Sequence, residues 1–148
     1  MSTLPDARAA AQRVVAFYEA LTPHALDRLD EIYAPHARFK DPFNEVQGLA
    51  AIRTVFEHMY ASLEQPRFEV TRCLVDGDQC TLVWAFRFRF KRFDTTTEQC
   101  VRGASHLVMG EDGRISDHRD YWDAAEELYE KLPLLGGLMR WLKRRARE

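Results

Sequence analysis

Four side chains in the sequence are of types that move protons. Asp41 stands in a Lys-Asp-Pro step, and His106, His118 and Asp120 stand in the last third of the chain. Carboxylates and imidazoles are the usual general acids and bases of enzymes. The alternative for Asp41 is a turn, because Asp before Pro commonly begins one. For the other three, the alternatives are a solvated strand face, an ion pair or a structural hydrogen bond.

The spacing around Asp120 predicts which side chains act together. On a strand, His118, Asp120 and Trp122 share one face, and Arg119 and Tyr121 take the other. A histidine and an aspartate two positions apart can meet one ligand, but we do not expect their side chains to pair easily. His106 could join them from a neighbouring strand.

A stripe of aromatic residues indicates the wall of a cavity. Alternate residues of one long strand are large and aromatic, namely Trp84, Phe86, Phe88 and Phe90. Facing inward, the stripe lines a cavity, whereas facing outward it is an exposed patch that needs a partner. We favour the inward orientation because Arg87 and Arg89 then reach water. Sequence alone leaves both open.

The first half of the chain is predicted to be mainly helical. Val14, Phe17, Tyr18 and Leu21 follow the spacing of one buried helix face. Thr22-Pro23 begins a second helix that Pro35 ends, and residues 37–47 form a short extended segment. A third helix follows Gly48 and is expected to end at Pro66.

The second half is predicted to be a meander of four strands. Residues 68–75, 80–93, 98–109 and 114–123 alternate or are rich in strand formers. The turns DGD, DTTT and GEDG separate them. Residues 124–132 and 134–148 are predicted to be helical, with breaks at Pro133 and Gly136-Gly137. Helices followed by strands indicate an α+β fold, with helices on one face of a curved antiparallel sheet.

Composition limits the classes of protein to consider. The 148 residues suit one domain, with a core at about 8–128 and a helical tail at 129–148. The net charge of −2 disfavours nucleic-acid binding over the whole surface. Cys73, Cys80 and Cys100 form no CxxC pair, so we interpret them as reduced core thiols of a cytoplasmic protein. No apolar segment resembles a signal peptide or a transmembrane span.

Metal and cofactor motifs are missing from the sequence. The five histidines form neither HExxH nor a tight cluster with cysteine, and there is no phosphate loop. We therefore predict no metal and no cofactor. The C-terminal segment LMRWLKRRARE is basic and amphipathic. It either packs by Leu138, Trp141 and Leu142 on the domain or a dimer mate, or makes weak contact with an anionic membrane surface or an acidic partner.

Three stretches carry a family resemblance. RVVAFYEAL followed by IYAPHARFKDP, then GLAAIRTVFEHM, then GEDGRISDHRDYWD occur in this order over roughly residues 8–128. Together they resemble the nuclear-transport-factor-2-like superfamily, especially its SnoaL-like and ketosteroid-isomerase-like bacterial members. The resemblance implies a cone-shaped curved sheet closed by three N-terminal helices, and usually a homodimer. Fold alone does not give a function.

The resemblance also assigns roles to particular residues. Asp41 matches the general base of ketosteroid isomerases, but Phe17 stands where those enzymes have an oxyanion-hole Tyr, with Tyr18 beside it. The protonated Asp that completes the oxyanion hole of those enzymes, on a late strand, falls near Ser105-His106, where this sequence has no acid. Asp120 matches an acid of limonene-epoxide hydrolases, whose set is incomplete here because Arg89 replaces the activating acid.

The sequence is therefore compatible with two functions. The first is a pocket protein with acid–base isomerase or hydrolase chemistry on a hydrophobic substrate, using Asp41 as base with Asp120, His106 and His118 assisting. The second is a non-catalytic dimeric binding or adaptor module. In either case the residues expected to line the pocket are Phe17, Tyr18, Tyr33, Trp84, Phe86, Phe88 and Trp122.

Overall fold

A computed structural model describes residues 7–92, 94–129 and 133–147. The helices are α1 (Ala7–Glu19), a 3-10 helix (Pro23–Arg28), α2 (Leu29–Ile32), α3 (Leu49–Ser62), α4 (Ala124–Glu127) and α5 (Pro133–Ala146). The strands are β1 (Tyr33–Lys40), β2 (Glu45–Gln47), β3 (Leu63–Asp76), β4 (Gln79–Phe90), β5 (Gln99–Met109) and β6 (Ile115–Tyr121). Phe93 and residues 130–132, which fall in predicted elements, lie outside the described residues.

The N-terminal helices form where the apolar spacing predicts them. In α1, Val14, Phe17 and Tyr18 are buried together. Thr22 caps the 3-10 helix by accepting a hydrogen bond from the Ala25 amide at 3.4 Å, and Pro23 follows at the first helical position, where its missing N–H costs nothing.

The six strands form one sheet in the order β2-β1-β6-β5-β4-β3. The neighbouring pairs are antiparallel except β1 and β6, which run parallel. The predicted extended segment at residues 37–47 is thus two strands, and β1 extends the sheet next to the last strand of the meander. This arrangement confirms the α+β class and the curved sheet, and it adds a parallel pairing that the meander did not predict.

Pro66 does not end the third helix. Helix α3 ends at Ser62, and Pro66 lies inside the edge strand β3, where the register with β4 shifts between Glu64 and Arg67. Gln65, in the same irregularity, has a φ of +50°. A bulge on an edge strand tolerates a proline because the missing N–H breaks no ladder bond.

The predicted break at Gly136-Gly137 in the C-terminal helix is also wrong. Helix α5 begins at Pro133 and continues through Gly136 and Gly137 to Ala146. Proline suits the first turn of a helix, and glycine inside a helix costs only about 1 kcal/mol against alanine, so the two glycines weaken α5 without ending it.

The core lies between the helices and the concave face of the sheet. Tyr33, Ile52, Leu82, Leu107 and Ile115 are among its most completely buried members. The three cysteines form no disulfide; Cys80 is buried, Cys100 is partly buried and Cys73 is exposed. The prediction of three core thiols is therefore wrong for Cys73, which lies on the edge strand.

Candidate functional site

A cavity of about 430 Å³ lies between the sheet and the helices. This volume is within the usual range for small-molecule sites, roughly 300–1,000 Å³. Helix α3 contributes Val55, Phe56 and Met59 to the wall, and the rest comes mainly from β3, β4 and the strand ends. Most of the lining side chains are apolar, so the cavity suits a hydrophobic molecule.

The aromatic stripe of β4 faces this cavity. Trp84, Phe86, Phe88 and Phe90 all line it. Phe68 of the neighbouring strand stacks on Phe86 with ring centroids 4.5 Å apart. On the other face of β4, Arg87 lies 3.6 Å from a carboxylate oxygen of Glu69. The structure thus selects the inward orientation between the two that the sequence left open.

Asp120 is the carboxylate at the polar part of the cavity wall. Its side chain is 16% exposed, and its Oδ1 accepts hydrogen bonds from Ser105 Oγ at 2.5 Å and from His118 Nε2 at 2.6 Å. Ser105 in turn accepts a hydrogen bond from Trp84 Nε1 at 2.9 Å. Among the described residues no hydrogen bond reaches Oδ2, which leaves that oxygen available to a ligand.

Two buried tyrosines contact His118 at the ring nitrogen opposite the one that bonds Asp120. The Tyr33 hydroxyl lies 2.7 Å from His118 Nδ1, and the Tyr18 hydroxyl contacts the Tyr33 hydroxyl and lies 3.4 Å from the same nitrogen. Burial raises the pKa of the Tyr18 phenol well above its ordinary value, and the nearby Tyr33 and Asp120 raise it further. Burial likewise raises the pKa of Tyr33. Both phenols therefore stay protonated and can donate.

The donors and acceptors give the network one direction. Indole N–H only donates and a carboxylate only accepts, so Trp84 donates to Ser105, and Ser105 donates to Asp120. His118 then donates from Nε2, and in the neutral ring Nδ1 accepts from Tyr33. We call this set the Asp120 network: Tyr18, Tyr33, Trp84, Ser105, His118 and Asp120. Its hydrogen bonds converge on one carboxylate.

The direct bond between His118 and Asp120 differs from the sequence expectation. Residues two apart on a strand share a face and are separated by about 6.6 Å along it. The imidazole spans that gap because its Nε2 is the atom farthest from the backbone, and the bond measures 2.6 Å. The expectation that the two side chains do not pair easily is therefore wrong.

Asp41 lies at the rim of the cavity and is engaged by its own turn. Its Oδ1 accepts from the backbone amides of Phe43 at 2.8 Å and Asn44 at 2.6 Å. The Asn44 side-chain amide adds bonds of 3.1 Å to both carboxylate oxygens. This is an Asx turn, the alternative that the sequence raised. The turn places Phe43 over the rim, with its ring 5.6 Å from the Trp122 ring.

The remaining predicted residues divide between the cavity and other places. Trp122 and Tyr18 line the cavity, and Tyr33 lies behind it in the Asp120 network. Phe17 is a core residue packed edge-on against Tyr18. His106 bonds Gln79 Oε1 at 2.8 Å on a partly exposed surface, and it alternates with the inward-facing Ser105 and Leu107. His106 is thus not brought together with His118 and Asp120.

Ser105 is the one member of the Asp120 network that is missing from the site residues predicted from the sequence. It is 5% exposed and pairs in register with Asp120 on β6 and Leu82 on β4. The register of the strands could have indicated it. Directly paired residues of neighbouring strands point to the same face, so if Leu82 of β4 points inward, its partner Ser105 on β5 does too. Gly103, opposite Trp84, leaves room for the indole, since a Cβ there would lie 2.5 Å from Trp84 Cη2.

Comparisons with known proteins identify the family. A family model described as SnoaL-like domain matches residues 14–118. This stretch is well over half of the chain, so the chain belongs to the SnoaL-like family, and the predicted nuclear-transport-factor-2-like membership is confirmed. No curated protein matches the chain.

Solved structures confirm the fold. A protein from Catenulispora acidiphila DSM 44928 with a ketosteroid isomerase-like fold, in complex with trimethylamine, is 21% identical over 85% of this chain and 92% of its own, with a TM-score of 0.67. An LEH-like epoxide hydrolase of M. tuberculosis is 19% identical over 83% and 89%, with a TM-score of 0.68. A SnoaL-like polyketide cyclase of Shewanella putrefaciens CN-32, described as putative, is 14% identical over 84% and 96%, with a TM-score of 0.67.

Among the described residues there is neither a helix that could span a membrane nor a cluster of His, Cys, Asp and Glu suited to a metal ion.

Proposed function

We propose that the chain is an acid–base enzyme of the isomerase or hydrolase type, with Asp120 as the proton acceptor for a hydrophobic cyclic or oxygenated substrate. The observation that carries this proposal is the convergence of Ser105 and His118 on Oδ1 of a carboxylate at the cavity wall. Such support holds the carboxylate in one orientation while Oδ2 takes a proton from a carbon beside a carbonyl, or from a water.

Asp41 has a different role in this proposal. Its four hydrogen bonds from Phe43 and Asn44 hold the rim, so positioning Phe43 and Trp122 around the entering substrate is the role that the geometry supports. Asp41 as the base remains a prediction from the resemblance. His106 faces Gln79 rather than the cavity wall, and its assistance in the reaction likewise remains a prediction.

The second candidate is a binding module without turnover. Two observations favour the enzyme over a module with a self-filled core: the cavity is open, and both Asp41 and Asp120 line it. In either role we propose a homodimer, as the resemblance implies, in the cytoplasm. Sedimentation velocity over a range of protein concentrations tests the dimer, with a monomer at every concentration contradicting it.

Exchange of α-hydrogens tests the acid–base assignment without knowledge of the natural substrate. A panel of hydrophobic cyclic ketones is incubated with the protein in D₂O, and loss of the α-proton signal is followed by NMR. The proposal predicts accelerated exchange that Asp120→Asn lowers by about 10²–10⁴-fold. The matched control is Asp117→Asn, an exposed acid on the same strand, which should leave exchange unchanged.

A parallel binding assay separates catalysis from recognition. Ketones that show exchange should bind wild type and Asp120→Asn with similar affinity, measured by quenching of tryptophan fluorescence. Tight binding of panel members with no exchange, and no effect of Asp120→Asn, favours the binding module instead.

A further inference from the structure

Helix α5 exposes an apolar stripe. Leu138, Trp141 and Leu142, spaced as neighbours on one face of a helix, are 49%, 49% and 45% exposed. Gly136, on another side of the helix, is buried. The alternative in which these three side chains pack on the chain's own domain is therefore wrong, and the stripe is open to a partner.

The same helix is strongly basic. Residues 140–148 contain five Lys and Arg and one acid, a net charge of +4 (5 − 1). Since the whole chain has a net charge of −2, residues 1–139 carry −6 (−2 − 4). Arg144 and Arg147 are exposed, and Arg145 lies over the Trp141 ring at 5.8 Å. The positive charge is thus concentrated at one end of an otherwise acidic protein.

We propose that α5 docks the protein on an anionic lipid bilayer surface. A helix with Trp and Leu on one face and Lys and Arg around it lies in the headgroup region, with its apolar face among the acyl chains. Trp is favoured at that depth because its ring is apolar and its N–H is polar. The basic residues supply attraction to anionic headgroups.

A second copy of the chain fits this surface less well. If two α5 stripes met across a two-fold axis, the same basic residues would face each other. The contact would also be small, because stable interfaces bury about 800 Å² on each partner. One half-exposed tryptophan and two half-exposed leucines fall well short of that area.

Vesicle co-sedimentation tests the proposal with the full chain. One set of vesicles is phosphatidylcholine alone, and in the other phosphatidylglycerol replaces part of it. We expect binding to the second set only, weakened by added salt. Trp141→Ser should lower the partition coefficient at least about tenfold, and the double variant Arg144→Gln/Arg147→Gln should lower it by a similar factor.

Matched variants on the edge strand serve as controls. Leu74→Ser and Arg72→Gln replace an exposed leucine and an exposed arginine of β3, and neither should change vesicle binding. Acyl-chain bromination of the lipid should quench wild-type tryptophan fluorescence, and Trp141→Phe should abolish most of that quenching.

Four results overturn the proposal. The first is failure to bind anionic vesicles, and the second is equal binding to neutral ones. The third is loss of binding in the β3 controls as large as that in the α5 variants. The fourth is a dimer that Trp141→Ser converts to monomer, because a second copy then covers the stripe.

Discussion

Asp41 and Asp120 are two carboxylates at one cavity with different surroundings. Asp41 accepts from backbone amides two and three residues away, so its bonds are local and belong to a turn. Asp120 accepts from side chains of β5 and β6, which are backed by α1, β1 and β4. The bonds of Asp41 therefore stabilise its own loop, whereas those of Asp120 fix the orientation of a carboxylate at the cavity wall, which the proposed base requires.

The largest stability effect should follow from breaking the Asp120 network at its centre. His118→Leu leaves Tyr33 without its acceptor and Asp120 without one donor, both in buried surroundings. We expect a loss of roughly 2–4 kcal/mol in the free energy of unfolding, measured with urea. His36→Leu, at an exposed position of β1, should change it far less. If both variants lost the same free energy of unfolding, the hydrogen bonds of the Asp120 network would not contribute to stability beyond an exposed histidine.

Overpacking at Gly103 should act on the same network indirectly. In Gly103→Ala the new Cβ meets Trp84 Cη2 and, at 3.0 Å, Trp122 Cβ, so the indole must move from Ser105. We expect a cost of about 1–3 kcal/mol and a red shift of tryptophan emission. The control is Gly137→Ala, whose Cβ would meet Arg140 Nη2 at an ordinary 4.0 Å among the described residues; it should be neutral or stabilise by up to about 1 kcal/mol. An unchanged emission spectrum in Gly103→Ala would contradict the assigned Trp84–Ser105 bond.

High pH should reveal the two tyrosines behind His118. Burial raises the pKa of Tyr18 and Tyr33, so the folded protein keeps both phenols protonated above pH 10 while the unfolded chain ionises them. Stability should therefore hold up to about pH 10 and fall above it, by about 1.4 kcal/mol per pH unit for each phenol. Tyr18→Phe should lessen that slope in urea titrations. An identical slope in the variant would show that Tyr18 ionises freely in the folded state.

The smallest effect is expected at the turn of Asp41. Asp41→Ala removes the acceptor of the Phe43 and Asn44 amides at a partly exposed site, which should cost roughly 0.5–1.5 kcal/mol. Asp41→Asn should cost much less, since Asn also forms Asx turns. Thermal unfolding of the two variants checks this. Greater damage from Asn than from Ala would mean that the negative charge, and not the turn, is what position 41 requires.

The fold can be predicted from the sequence more completely than the site can. The helix spacing of Val14, Phe17 and Tyr18 and the alternation of β4 are local patterns, and both predict elements that the structure has. The parallel pairing of β1 with β6 joins segments about 80 residues apart, and local patterns carry no information on it. The prediction that Pro66 ends the third helix was wrong for the same reason. A strand tolerates this proline because the strand lies at the edge of the sheet, which local sequence does not show.

The site depends on which face of each strand points inward and on how far a side chain extends along its strand. The sequence leaves both open. The inward direction of Ser105 follows from its register with Leu82 and Asp120. The bond from His118 to Asp120 depends on how far an imidazole extends along the strand. The family resemblance pointed to Asp41 because it compares positions along a chain and not the hydrogen bonds that each position makes.

Exchange of ketone α-hydrogens by Asp41→Asn and Asp120→Asn, measured side by side at one pH, tests the central comparison most directly. We predict that Asp41→Asn keeps the rate within a few-fold of wild type and that Asp120→Asn lowers it by about 10²–10⁴-fold. The reverse order, with exchange lost in Asp41→Asn and kept in Asp120→Asn, would contradict the assignment of Asp120 as the base and return that role to Asp41.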